Sequence, residues 1–280
     1  MLRRIKDFVK FFLPRWVISA VMRRREQRDL APVPVTHFSV ETLLPAADFD
    51  RDRVFATSSE FDSDWEASHS AIVRETTPDR IGSAVSPGDR KALYRVVRNF
   101  RPRRVLEVGT YIGMSTYYIA KALEANGGGE ITTVDIVDVN SEAGAWQNVG
   151  LTKPPSQIAE SLRLADMITF VAMPAANFIE NDIGPYDLIF LDGDHSASAV
   201  YHEVIRSLGI LNPRGLILLH DFFLDGTRLF ENLEVIHGPY LALNRLRHEN
   251  PALEVVPFSP LPWTTLPGTN NTSLAALVRR

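Results

Sequence analysis

From Arg104 to Arg279 one texture repeats: a short run of apolar and β-branched residues, a polar turn, then a stretch with apolar residues three and four apart. The runs RVLEVG, EITTVDI, MITFVAM, DLIFLDG, GLILLHDFF, LEVVPF and SLAALVR read as strands, and helical spacing starts near Ser115, Ser156, Ala175 and Ser196 and returns over residues 240–248. Ahead of the first run, Ser86 can cap a helix that begins at Pro87, turns Leu93, Val96 and Val97 to a core and ends at Phe100-Arg101-Pro102. Such alternation predicts an α/β fold: a doubly wound, mostly parallel seven-stranded sheet with helices on both faces. The last two strands are joined through a turn without a long helix, so the final strand is expected to run antiparallel at the sheet edge.

The N-terminal part has a different texture. Leu2, Ile5, Phe8, Val9, Phe12 and Trp16 recur at helical spacing while Arg3, Arg4, Lys6 and Lys10 take the other side, and Pro14 would kink or end the first segment. Residues 1–25 therefore suit peripheral contact with an anionic membrane, and equally a helix packed on its own domain or on a second subunit of a homo-oligomer. From about Leu30 to Pro87 turn chemistry dominates (APVPV, LLPAADFD, TSSEFDSD), which reads as an irregular cap or linker. The expected division is an N-terminal helical extension and cap over residues 1–85, then one sheet domain over residues 86–280.

Charge and composition narrow the partners. A net charge of -4 over 280 residues gives no general reason to expect nucleic-acid binding. With no cysteine, thiolate metal sites, disulfides and a cysteine nucleophile are excluded. Lys10 and Arg15 interrupt the apolar N-terminal runs before they reach signal-peptide or membrane-spanning quality, so a cytoplasmic, at most membrane-peripheral, location is expected.

Ligands of open α/β sheets sit beyond the carboxyl ends of the strands, and here those ends are acidic. The first reads Glu107-Val108-Gly109-Thr110-Tyr111-Ile112-Gly113 and enters a helix through Met114-Ser115-Thr116. Gly109 permits a tight turn, Gly113 close helix packing, and Ser115 stands where helix N–H groups face a carboxylate. The spacing is not the G-x-G-x-x-G of a dinucleotide site, and a zwitterionic amino acid fits better, with Glu107 as acceptor for its ammonium. Asp135, ending the second run, can hold ribose hydroxyls. Asp192 in Leu191-Asp192-Gly193-Asp194-His195 and Asp221 in Leu219-His220-Asp221-Phe222 would meet at one edge, where a divalent cation such as Mg²⁺ would relieve their repulsion. His220 could add a nitrogen ligand and tilt the preference towards Mn²⁺ or Zn²⁺. His195 is placed to take a hydroxyl proton.

These residues resemble class I S-adenosylmethionine-dependent methyltransferases, especially the catechol- and caffeoyl-CoA-type O-methyltransferases and related small-molecule methyltransferases with a DGDH strand end. The resemblance runs from about Ser86 to Phe223, strongest in SPGDRKALYRVVRNFRPRRVLEVGTYIGMSTYYIAKAL and YDLIFLDGDHSASAVYHEVIRSLGILNPRGLILLHDFF. It implies a Rossmann-like sheet, S-adenosylmethionine as cofactor and a small-molecule hydroxyl, sugar or phenolic, as acceptor. Glu107, Gly109 and Gly113 match the motif around the cofactor's methionine portion, Tyr111 an aromatic packed on it, Ser115 a carboxylate-binding serine and Asp135 the ribose-binding acid. Asp192 matches an acid serving the cofactor's amino group and a metal, Asp221 a second metal ligand and His195 the general base. Two departures stand out. Phe222 stands where the catechol type has an amide ligand, with His220 a substitute beside it, and Val171-Ala172-Met173-Pro174 lacks the polar side chain that usually meets adenine. The insert over residues 137–157, with Trp146, and the segment over residues 30–87 are the expected covers of the pocket. An NAD(P)-dependent oxidoreductase on the same sheet, or a non-catalytic membrane-associated binding protein, are the alternatives.

Overall fold

The structure, a computed structural model, describes residues 14–56, 58–76, 85–181, 184–227, 229 and 235–280. The amphipathic segment over residues 1–13 lies outside them. Seven strands form one sheet: β1 Arg104–Val108, β2 Glu130–Asp135, β3 Ile168–Ala172, β4 Tyr186–Leu191, β5 Leu211–Leu219, β6 Leu253–Pro257 and β7 Ala275–Arg279. Their order is β3-β2-β1-β4-β5-β7-β6. The first five pair in parallel and β7 is antiparallel to both β5 and β6. The final strand is thus antiparallel as expected, but it lies one place inside the edge, with β6 outermost.

Alternation along each strand explains why the runs are apolar throughout. Leu188 and Phe190 of β4, with Leu216 and Leu218 of β5, face one core; Ile189, Leu191, Ile217 and Leu219 face the other. The first core is closed by α3 Ser59–Thr76, α4 Pro87–Phe100, α5 Met114–Ala125 and α6 Pro155–Ser161. The second is closed by α1 Arg15–Leu30, α7 Ala175–Asn181, α8 Ala197–Gly209 and α9 Gly238–Glu249. One short helix, α2 Arg51–Phe55, precedes α3. Ser86 caps α4 as its sequence suggests, its side chain accepting from the Asp89 N–H.

The stretch read as irregular is corrected by α3. Its sequence is polar, with Trp65 and Ile72 the large apolar residues that become buried, so periodicity alone gives little signal. What holds it is tertiary: Asp62 accepts from buried Arg95 at 2.7 Å, Asp64 from Arg98 at 2.6 Å, and Trp65 stacks on Tyr118. Buried pairs of this sort draw their worth from good geometry and added hydrogen bonds, which no single-sequence pattern reports.

Residues 30–45 and the sheet share a core. Leu30, Val40 and Leu43 are buried among β4, β5, α8 and α9 residues. The Leu44 N–H donates to the Gly215 carbonyl, and the Arg279 N–H to that of Leu44. At the other end of this segment, the α1 carboxylate of Glu26 accepts the backbone N–H of Ala197 at 2.7 Å, the first residue of α8. A carboxylate there satisfies an otherwise orphan helix donor and meets the positive end of the helix dipole.

Candidate active site

A cavity of about 1270 Å³ opens beyond the carboxyl ends of β1, β2, β4 and β5. Gly109, Tyr111, Gly113's neighbour Met114, Ser115, Asp135, Asp192, His195, His220 and Asp221 line it, so most of the residues singled out from sequence share one wall. Its opening is set by a backbone contact between two strand ends. Gly109 has φ +97°, and a Cβ there would lie 2.2 Å from the Asp192 carbonyl oxygen. Any side chain would push the β1 loop off the β4 end. Gly113, φ +79°, caps α5 and leaves room for the Tyr117 ring.

Asp135 joins the two walls. Its Oδ2 accepts the Tyr111 N–H at 2.9 Å and its Oδ1 that of Val137 at 3.0 Å, so each oxygen is oriented and keeps a lone pair for a ligand. Tyr111 holds a left-handed backbone, φ 51°, to make that bond.

Glu107 departs from its expected place. It is 0% exposed and absent from the cavity wall; its Oε2 accepts from Thr116 at 2.5 Å and Thr133 at 2.7 Å, while Oε1 is buried without a partner. Burial raises its carboxyl to about 7, against the lowering effect of the surrounding hydroxyls. It ties the start of α5 to β2 from beneath the pocket floor. The physical reason is strand alternation: Glu107 sits one residue before the strand end, turned into the packed layer under α5 rather than out over the edge.

At the β4 and β5 ends, Asp192, His195 and Asp221 offer ligand atoms within 4.8 Å of one another. His195 Nε2 lies 3.4 Å from Asp221. His220, the expected third ligand, is instead wedged among carboxylates: Nδ1 is 3.1 Å from Asp192 and 3.5 Å from Asp221, and Nε2 is 3.4 Å from Asp89. Burial alone would lower its pKa, but Asp192 and Asp221 override that and hold the imidazole well above its ordinary value. The described residues whose ligand atoms converge are Asp192, His195 and Asp221, with His220 packed beside them against both carboxylates.

Phe222 turns into the second core. The insert over residues 137–157 is also corrected as a cover: the wall takes Ile136 but none of the insert, and Trp146 packs against the first core with its Nε1–H donated to the Ser141 carbonyl. From the N-terminal region, Val85, Ser86 and Pro87 do reach the wall.

Sequence reasoning passed over two acids. Asp89 is 2% exposed, lines the cavity and leaves Oδ1 unpartnered. Its position three residues after the Ser86 cap reads as an ordinary first-turn acid, which hides a second role. Glu203 reaches the wall from the middle of α8, where only the fold could reveal it.

Residues 106–222 match the model of a family described as Methyltransferase domain. A catechol O-methyltransferase of Niastella koreensis is 30% identical over 149 residues, 53% of this chain and 62% of that protein. A caffeoyl-CoA O-methyltransferase of Stellaria longipes is 27% identical over 178 residues, 61% of this chain and 68% of the relative. Among solved structures, an O-methyltransferase from Bacillus cereus in complex with SAH aligns with TM-score 0.52 and 18% identity, over 86% of this chain and 100% of that one. The O-methyltransferase of tomaymycin synthesis from Streptomyces achromogenes, in complex with SAM, aligns with TM-score 0.52 and 16% identity, over 80% and 91%. At these identities the structural matches speak for the sheet and its Rossmann-like order. Residues 106–222 thus resemble a methyltransferase domain in sequence, and the chain shares its overall fold with these O-methyltransferase structures.

Proposed function

We propose that the protein is an S-adenosylmethionine-dependent O-methyltransferase of a small-molecule hydroxyl, working in the cavity at the β1, β2, β4 and β5 ends. The observation that carries this is the shared wall of Ser115, Asp135, Asp192, His195 and Asp221. The donor set fits the cofactor: Asp135 keeps one lone pair on each oriented oxygen for a vicinal diol, Ser115 and the α5 N-terminus face a carboxylate, and Asp192 an ammonium. When bound, S-adenosylmethionine supplies a methyl group on a positively charged sulfur.

The chain's part is alignment and proton removal. Ser115, Asp135 and Asp192 fix the cofactor so that an acceptor oxygen can be held in line. His195, its Nε2–H turned towards Asp221, keeps a lone pair on Nδ1 for the hydroxyl proton, and Asp221 stabilises the resulting imidazolium. Val85, Met114 and Phe223 give the wall an apolar side that suits the body of an aromatic or sugar acceptor. Asp192 and Asp221 would hold Mg²⁺, leaving His195 for the proton, whereas Mn²⁺ or Zn²⁺ would recruit the imidazole.

Calorimetry with S-adenosylmethionine, with and without Mg²⁺, tests the reading. Wild type is expected to bind, and Asp135→Ala to bind about 10- to 100-fold more weakly through loss of its charge-assisted hydrogen bonds. A folded wild type that takes up no S-adenosylmethionine sinks the proposal.

We further propose that α1 meets an anionic bilayer surface. Trp16 is 73% exposed and Val21 and Met22 stand out on a helix that also carries Arg15, Arg23, Arg24 and Arg25; no helix among the described residues is long and apolar enough to cross a membrane. The protein should sediment with vesicles containing phosphatidylserine and not with neutral ones, and Trp16→Ser should lower the bound fraction severalfold. Sedimentation that ignores lipid charge, or a concentration-dependent dimer broken by Trp16→Ser, would reassign this face to protein contact.

A further inference from the structure

We infer that Glu203 of α8 reads the amino edge of the cofactor's purine. The inference rests on the cavity being an S-adenosylmethionine site, and adds to it a residue outside every strand end.

Glu203 lines the cavity and is 8% exposed, yet its carboxyl makes no hydrogen bond and no ion pair among the described residues. Arg206, one turn further along α8, is engaged by Glu180 at 3.0 Å. Burial, the larger effect, and like charge from Asp194 of the β4 loop hold the Glu203 carboxyl at about 7 against the lowering influence of Arg206. A carboxyl set in a cavity wall without a protein partner is open to a ligand that completes it.

Its position says which part of the ligand. Asp135 fixes the ribose at the β2 end, so the base extends from there across the start of α7. That wall is apolar: Ile136, Pro174, Ala175 and Ala176 line it, and Val171-Ala172-Met173-Pro174 offers no polar side chain. Helices α7 and α8 pack on each other, Arg206 of α8 pairing with Glu180 of α7, and Glu203 shares the cavity wall with Ala175 and Ala176. The polar contact missing after β3 is thus supplied from α8.

The chemistry matches. A 6-aminopurine presents an N–H donor beside a ring-nitrogen acceptor; a protonated carboxyl offers the complementary pair, and an ionised one still accepts from the amine. A purine without the amino group loses the N–H···O bond in either state; a protonated carboxyl then keeps only its bond to the ring nitrogen, and an ionised one keeps none.

Calorimetry with two probes tests this: S-adenosylhomocysteine, and its analogue whose purine lacks the 6-amino group. Wild type should prefer the amino form by about tenfold, the worth of one hydrogen bond to a charged or strongly polar group. In Glu203→Met the preference should fall to within about twofold, and in Glu203→Gln, whose amide oxygen still accepts, it should persist. Without ligand, Glu203→Met should melt at or above wild type, because it removes a carboxyl disfavoured by burial and by the neighbouring Asp194. Undiminished preference in Glu203→Met, or a lower melting point with unchanged affinity, overturns the assignment while leaving the cofactor reading intact. Failure of wild type to bind S-adenosylhomocysteine at all overturns both.

Discussion

Exchanging His195 for alanine is expected to slow methyl transfer by about 10²- to 10⁴-fold, the usual worth of a positioned general base, while S-adenosylhomocysteine still binds within about twofold of wild type. Its ring lies 3.4 Å from Asp221, so removing it should reach the proton and not the cofactor. The measurement is single-turnover transfer from radiolabelled S-adenosylmethionine to a phenolic or sugar acceptor, run beside calorimetry. Asp221→Asn should show a smaller loss, since it removes the orienting charge and leaves the base. Turnover at the wild-type rate in His195→Ala would strip this residue of its role, and a parallel collapse of cofactor affinity would move it to binding.

The second large effect concerns pH and stability. Glu107 is raised from 4.5 to about 7 by burial, so the folded chain holds that proton more tightly than the unfolded one. The sign follows: its favourable contribution is complete below the ordinary carboxyl value and is lost as pH rises through about 7, a swing on the order of 3 kcal/mol. Glu203, also raised to about 7, adds a slope of the same sign. Ligand-free protein should therefore lose stability between about pH 5 and pH 8. Glu107→Gln keeps acceptors for Thr116 and Thr133 but cannot ionise; urea denaturation should give a flatter profile and a higher midpoint at the alkaline end. An unchanged slope in this variant would mean that Glu107 does not carry the proton.

What could be read from the chain followed the geometry of strands. Runs such as DLIFLDG are apolar because alternate residues serve two cores, and the acid that ends each run marks where the sheet stops and ligand space begins. Asp135, Asp192 and Asp221 were legible for that reason. Glu107 misled because it lies one residue inside its strand, where the same acid type faces protein. For His220 the sequence shows the two flanking acids but not Asp89, which arrives from α4 on the far side of the ring. Helix α3 was hidden because ion pairs to Arg95 and Arg98 hold it in place of an apolar stripe, and Glu203 because a helix interior carries no mark of what its face will meet.

The bond from Glu26 to the Ala197 N–H has a practical corollary for anyone handling the protein. Only Ser196 separates His195 from Ala197, the residue whose N–H Glu26 accepts, so whatever displaces α1 also loosens the tether of that imidazole. Activity assays on fusions at the amino terminus should therefore be paired with a carboxyl-terminally tagged counterpart, since α1 is tied to the start of α8 beside His195.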